Sequence, residues 1–258
     1  MLRKNTLAMV VGEFLGTGVL TMAVLALSNS NVGQMPFFIA VSAGLTLAIL
    51  VTMLAGITGA VFNPAISLGL WTVRKLQTMQ TVAYILAQFA GAAAAFALYC
   101  YFVNISLGKL ENKGFTDFTP RVMVGELVGT MIFSMAIASA VYQKLSLGTK
   151  AFIIGAGLTV GALVATLGSG GLLNPAVALA VHQFGLWTYV LGPVLGAVLG
   201  FNLYNLLFVE TEVAEAAEAA EEAKVARPAV KTVAAQRAAV KKTTVRKAPA
   251  KKKAVAKK

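Results

Sequence analysis

Charge is what this chain is short of. Only 12% of its 258 residues are charged and 58% are hydrophobic, with a mean hydropathy of +0.77; an ordinary soluble domain carries about 25% charged residues. That composition excludes a soluble enzyme. Cysteine is nearly absent too: Cys100 stands alone, so no intrachain disulfide forms and no metal cluster rests on thiolates. His182 is the one histidine. No nucleotide-binding loop, catalytic triad or metal-ligand spacing occurs in the sequence, so nothing in it calls for an enzyme activity or a cofactor.

The few charges are unevenly spread. The net +12 divides into nine Lys/Arg against four acids over residues 1–208, and 13 Lys/Arg against six Glu over residues 209–258. The chain therefore reads as two objects, a nearly uncharged body and a basic tail. Residues 210–224, ETEVAEAAEAAEEAK, favour helix. From Val225 onward Lys, Ala, Val, Thr and Pro dominate, too little apolar surface to fold, and the segment reads as disordered. Such a tail is a solvated appendage, a ligand for anionic lipid at about 1 kcal/mol per basic residue, or a neutraliser of nucleic-acid phosphates.

Crossing a bilayer takes roughly 20 apolar residues. Six stretches of the body are long enough: about 7–27, 36–57, 81–103, 121–142, 150–168 and 186–208. The first follows Arg3 and Lys4, yet it is too long for a signal core, contains Glu13 and lacks a small-residue cleavage site, so it reads as a retained span. An amino terminus inside puts Arg3, Lys4, Arg74, Lys75, Lys144 and Lys150 in the cytoplasm against Lys109, Lys113 and Arg121 outside. This bias places both termini in the cytoplasm of a multi-pass protein of the cell (plasma or inner) membrane.

The body repeats itself. GEFLGT at 12–17 returns as GELVGT at 125–130, the Asn of GAVFNPAIS at 63 returns in GGLLNPAVA at 174, and Gly91-Ala92 returns as Gly196-Ala197. Each half holds three spans, so the second enters the membrane upside down. Within each half, Asn63-Pro64 and Asn174-Pro175 are strong helix starts, because Asn caps free N–H groups and Pro suits the first helical position. The helices they open, about 64–73 and 175–184, are too short to span and read as half-helices on re-entrant loops. Inversion makes their amino termini meet near the midplane, two positive dipole ends facing one pathway.

The twin Asn-Pro-Ala boxes, the Glu of each GE(F/L)(L/V)GT, and the YILAQFAGAAAAF and YVLGPVLGAVLG runs resemble the aquaporin and aquaglyceroporin (major intrinsic protein) family over residues 7–208. The resemblance implies an all-α membrane protein, an inverted repeat of six transmembrane helices and two re-entrant half-helices. It also implies a passive channel, assembled as a homotetramer in the bilayer. In such channels Asn63 and Asn174 donate hydrogen bonds to solutes in single file, while Pro64, Ala65, Pro175 and Ala176 stack the half-helices. Glu13 and Glu126 accept hydrogen bonds from the re-entrant backbone, with a proton relay as the sharper alternative. The opposed dipoles disfavour cations.

The family's outer constriction falls by its usual offsets on Ala43, Ala162, Gly171 and Val177, and at each this chain departs from the aromatic, His and Arg residues common there. Val177 stands where an Arg normally follows the second box. The expected filter is wide, apolar and uncharged. It implies passage of water and of small neutral solutes such as glycerol or urea, with one barrier to cations missing. Alternatives stay open: a side chain such as Phe115, Phe118 or Arg121 refills the space, leaving a water-selective pore; the channel conducts poorly; or the protein is a membrane anchor whose tail binds nucleic acid or anionic lipid. An inverted-repeat secondary transporter is disfavoured because residues to couple an ion are missing. Val61 replaces the family's usual His before the first box. His182 is a vestibule residue or a pH sensor there, and Trp71 and Trp187 are interface anchors.

Overall fold

The computed structural model describes residues 4–28, 35–107 and 118–209. The chain divides into two compact units, Met1–Leu207 and Phe208–Lys258. The expectations for the tail beyond Val209 lie outside the described residues. Among the described residues the body is all helical: α1 (Lys4–Ser28), α2 (Pro36–Thr58), α3 (Pro64–Thr72), α4 (Thr78–Val103), α5 (Pro120–Tyr142), α6 (Leu147–Ala165), α7 (Pro175–Ala180) and α8 (Gly192–Tyr204). The last is flanked by π-helical turns over Leu186–Leu191 and Asn205–Val209. Six stretches are long and apolar enough to cross a membrane: Thr6–Ser28, Pro36–Thr58, Thr78–Val103, Pro120–Tyr142, Leu147–Ala165 and Leu186–Val209.

Proline punctuates these helices. Pro36, Pro64, Pro120 and Pro175 each occupy a first turn, where the missing N–H has no intrahelical acceptor to lose; Pro193 follows directly on the π-helical turn Leu186–Leu191. The fifth span begins at Leu147, three residues before the sequence expectation, because the Ser146 side chain caps it by accepting from Thr149 N–H. It ends at Ala165 rather than 168. There the chain turns against α5, and Gly168 lies so near that a Cβ would stand 2.7 Å from the Arg121 carbonyl oxygen.

Both half-helices stop in the same way. Beyond α3, Arg74 N–H donates to Trp71 O and Lys75 N–H to Leu70 O; beyond α7, His182 N–H donates to Leu179 O and Gln183 N–H to Ala178 O. This is the Schellman pattern, with Arg74 (φ 60°) and His182 (φ 59°) in the left-handed region. α7 therefore has six residues and ends at Ala180, short of the 184 expected from apolar composition.

The packing follows the repeat. α1 packs on α4 as α5 packs on α8, α1 on α2 as α5 on α6, and α2 meets α6 between the halves. α3 crosses to pack on α8, while α7 packs on α4. Glycine lets backbones meet where the halves join: a Cβ on Gly44 would lie 2.5 Å from the Gly155 carbonyl oxygen. Small residues at such contacts are how membrane helices approach closely. The faces left over carry exposed Leu15, Val19, Leu45, Ile49, Leu86 and Phe152, as suits contact with lipid.

Candidate functional site: the junction of the half-helices

Asn63 and Asn174 each cap their half-helix, the side-chain oxygen accepting from Ala65 and Ile66 N–H in one case and from Ala176 and Val177 N–H in the other. Their amide nitrogens cross over. Asn63 Nδ2 donates to Leu173 O at 2.8 Å, and Asn174 Nδ2 donates to Phe62 O at 2.9 Å. Each carboxamide has two N–H donors, so this pairing leaves one on each for the cavity that both asparagines line. Pro64, Ala65, Pro175 and Ala176 are buried around the pair.

The residues before each Asn run through unusual backbone. Ala60 and Phe62 in the first loop, and Gly171 and Leu173 in the second, have φ between 50° and 67°. Three of these four carry a side chain that disfavours that region, so the surroundings must hold them. Buried carboxylates do so. Glu13 accepts from Val61 N–H (3.1 Å), Phe62 N–H (2.8 Å) and Gln88 Nε2 (2.7 Å). Glu126 accepts from Leu172 N–H (3.0 Å), Leu173 N–H (2.7 Å) and the Ser169 hydroxyl (2.8 Å). Both are fully buried, and neither lines the cavity.

The cavity has a volume of about 160 Å³. Ala43, Ala162, Gly171 and Val177 all lie on its wall together with Asn63 and Asn174. Gly161, the neighbour of Ala162, instead packs on Gly129, where its Cβ would meet Leu173 Cδ1 at 3.1 Å. Leu20, Val24, Leu47, Phe133 and Leu158 make much of the wall apolar, and the Ser169–Leu172 backbone supplies a polar strip. The N–H groups of that strip are occupied: Gly170 donates to Tyr189 OH, Gly171 to Ser169 Oγ and Leu172 to Glu126. Any further hydrogen bond from Gly170 or Gly171 to a solute is therefore accepted by a carbonyl oxygen. Val61 lines it where a His was absent from the sequence.

Two of the three side chains suggested as refilling the filter stand elsewhere. Arg121 donates from Nη2 to Leu167 O at 2.7 Å, Phe118 is exposed, and neither lines the cavity; Phe115 lies outside the described residues. A second cavity of about 320 Å³, the vestibule, shares Ile39, Gly170 and Leu172 with the first and so lies beside it. His182 lines this vestibule, its ring edge-on to Phe96 at 4.6 Å between centroids and its Nε2 buried without a partner. Burial pushes the imidazole below its ordinary value, since the charged form would be poorly solvated there. Trp71 and Trp187 are 43% and 44% exposed near span ends. The crossed Asn–carbonyl bonds and the tyrosine on Gly170 escaped the sequence reading; the only available signal was that Tyr84 and Tyr189 open matching runs.

Comparison with known proteins agrees with this architecture. The sequence model described as Major intrinsic protein matches residues 1–204. The chain is 30% identical over 240 residues to aquaporin AqpM of Methanothermobacter marburgensis, covering 78% of this chain and 97% of that protein. It is 27% identical over 236 residues to aquaporin Z of Photorhabdus laumondii, covering 82% and 100%. Among solved structures, the aquaglyceroporin from Plasmodium falciparum superposes with a TM-score of 0.64 at 21% identity, covering 80% of this chain and 98% of that one, a likeness of fold. With six apolar spans, two inverted half-helices and a family match across the whole body, this chain belongs to the major intrinsic protein family of membrane channels.

Proposed function

We propose that the channel passes small uncharged solutes larger than water, of the glycerol or urea class, with water alongside them. One observation carries this reading: the four positions that the family uses as its filter, Ala43, Ala162, Gly171 and Val177, surround a single cavity and bring to it neither a charge nor a side-chain donor. The polar residues on the wall are Asn63, Asn174, Thr166 and Ser169, with Gly170 and Gly171 beside them, opposite an apolar wall. A solute with a hydrocarbon edge and hydroxyl or amide groups satisfies both sides, because buried polar groups need partners and apolar surface gains from leaving water. The opposed half-helix dipoles at Asn63 and Asn174 are then the remaining barrier to cations. The resemblance further supports a homotetramer in the cell membrane with both termini cytoplasmic. The basic tail over 209–258 would then face the anionic leaflet, where its lysines gain most.

The test is osmotic: vesicles carrying the full chain are challenged with glycerol, urea and an impermeant solute. Glycerol and urea should enter well above the rate in empty vesicles. Val177→Arg should cut that flux at least about tenfold while retaining water flow, since a guanidinium added to the wall takes up space that the larger solutes need, and a tenfold loss corresponds to about 1.4 kcal/mol of barrier. Entry of both solutes at the empty-vesicle rate, with water flowing, refutes the wide filter and leaves a water-selective pore.

A further inference from the structure

Tyr84 and Tyr189 open the matching YILAQFAG and YVLGPVLG runs and are 105 residues apart, the offset that also separates Gly91 from Gly196. They are therefore counterparts in the inverted repeat. Each phenol reaches the beginning of the re-entrant loop in its own half. Tyr84 OH donates to Thr58 O at 2.6 Å, at the last residue of α2. Tyr189 OH accepts from Gly170 N–H at 3.1 Å, just ahead of Gly171. The position is kept but the polarity of the bond is reversed.

The two settings differ in depth. Tyr84 is 1% exposed, and its oxygen also accepts from Gln80 Nε2 at 3.0 Å. Tyr189 is only partly buried and sits in the π-helical turn Leu186–Leu191, where Tyr189 and Val190 N–H both donate to Gly185 O. Such turns are frequent at functional sites, where an extra residue in the turn re-aims the side chains around it. Here the turn brings the phenol onto Gly-Ser-Gly-Gly, residues 168–171, a stretch with little stiffness of its own. A Cβ on Gly170 would stand 3.0 Å from Tyr189 OH and 2.8 Å from Gln183 Oε1, so the fit is close. Glu126 holds the far end of the same stretch through Ser169, Leu172 and Leu173.

We propose that Tyr189 is a positioning residue for solute selection: it holds Gly170, and with it the polar strip and the Gly171 edge of the filter, at a fixed distance from Ala43 and Ala162. Tyr84 performs the equivalent service for the first loop, away from the filter. The inference rests on the wide-filter reading for its transport consequence, but the tether itself is independent of which solute passes.

The experiment compares the full-length chain with Tyr189→Phe and Tyr84→Phe in vesicles, reading the glycerol-to-water permeability ratio beside hydrogen exchange over residues 168–173. The ratio is unaffected by the fraction of folded channels, which moves both fluxes together. Tyr189→Phe should change the ratio by about threefold or more and speed exchange at Gly170 roughly fivefold, as expected when one hydrogen bond is lost; Tyr84→Phe, whose loop carries none of the four filter positions, should change the ratio less and leave exchange at Gly170 unaltered. An unaltered ratio in folded Tyr189→Phe, or an equal change in Tyr84→Phe, overturns the assignment. If the parent channel passes water but no glycerol, the filter reading fails by itself, and the exchange rate alone decides: unchanged exchange at Gly170 overturns the tether.

Discussion

Replacing Glu126 by Gln tests the load on the second re-entrant loop. All three partners of this carboxylate are donors: Leu172 N–H and the Ser169 hydroxyl on Oε1, and Leu173 N–H on Oε2. Glutamine keeps the shape but offers one oxygen and one NH2. In its better orientation the oxygen retains Leu172 and Ser169, and the NH2 is pressed against Leu173 N–H. Leu173 is fully buried, so water cannot substitute. A charge-assisted hydrogen bond contributes about 1.5–3 kcal/mol, and an orphaned buried donor costs about 1–3 kcal/mol; since the two overlap, the expected loss is about 3 kcal/mol.

The damage also has a direction. Leu173 has φ 53°, a conformation costing an L-residue roughly 1–2 kcal/mol, and Asn63 Nδ2 donates to its carbonyl. Once Leu173 N–H loses its acceptor, the loop relaxes out of the left-handed region and releases Asn63. Thermal unfolding of the detergent-solubilised channel should drop by about 10 °C, at roughly two to four degrees per kcal/mol, and water permeability per folded channel should fall with it. Ser169→Ala, which removes one donor to the carboxylate and also the acceptor of Gly171 N–H, should cost about 2 kcal/mol. Glu126→Gln unfolding within about 2 °C of the parent would refute the reasoning. It would return the carboxylate to the proton-relay alternative, which predicts altered proton leak without lost stability.

Two further outcomes are expected. Gly155→Val on α6 should destabilise the channel by more than the roughly 1–3 kcal/mol of ordinary overpacking, because its Cβ would meet Gly44 O and sit 2.8 Å from Ala48 Cβ; Gly148→Val, with open space around it, is the control in the same unfolding assay. At His182, which lies between α7 and the sixth span, the folded state binds its proton less readily than the unfolded chain. Stability from this group is thus full above the unfolded value near 6.5 and is lost as pH falls from there toward the lower folded value; the difference in unfolding temperature between the parent and His182→Asn, a residue that tolerates the left-handed backbone, should shrink over that window, and a constant difference from about pH 7.5 to 5 would count against it.

Much of this molecule was legible because its signals are local. An apolar run of span length declares itself in composition, and Pro64 and Pro175 behind an Asn declare a helix start, since cap and first turn lie within three residues of each other. The inverted repeat follows by counting. The ends of elements were less legible. Past Ala180 the chain reads Val-His-Gln-Phe-Gly, and α7 stops because His182 takes a left-handed conformation and Gln183 N–H returns to Ala178 O. Composition alone does not say at which of these residues the turn falls. Likewise α6 starts early because Ser146 caps it.

The sequence by itself therefore determined the membrane, the six spans and the two half-helices, because each depends on hydrophobic length, capping chemistry or spacing along the chain. Only the tertiary structure decided how the halves lock. Asn63 finds Leu173 O and Asn174 finds Phe62 O across 110 and 112 residues, Glu13 and Glu126 take up loop N–H groups 46 to 49 residues away, and Tyr189 reaches back 19 residues to Gly170. Away from water, each buried N–H must find an acceptor, and the acceptor it finds is set by which backbone the packing of the helices brings within about 3 Å.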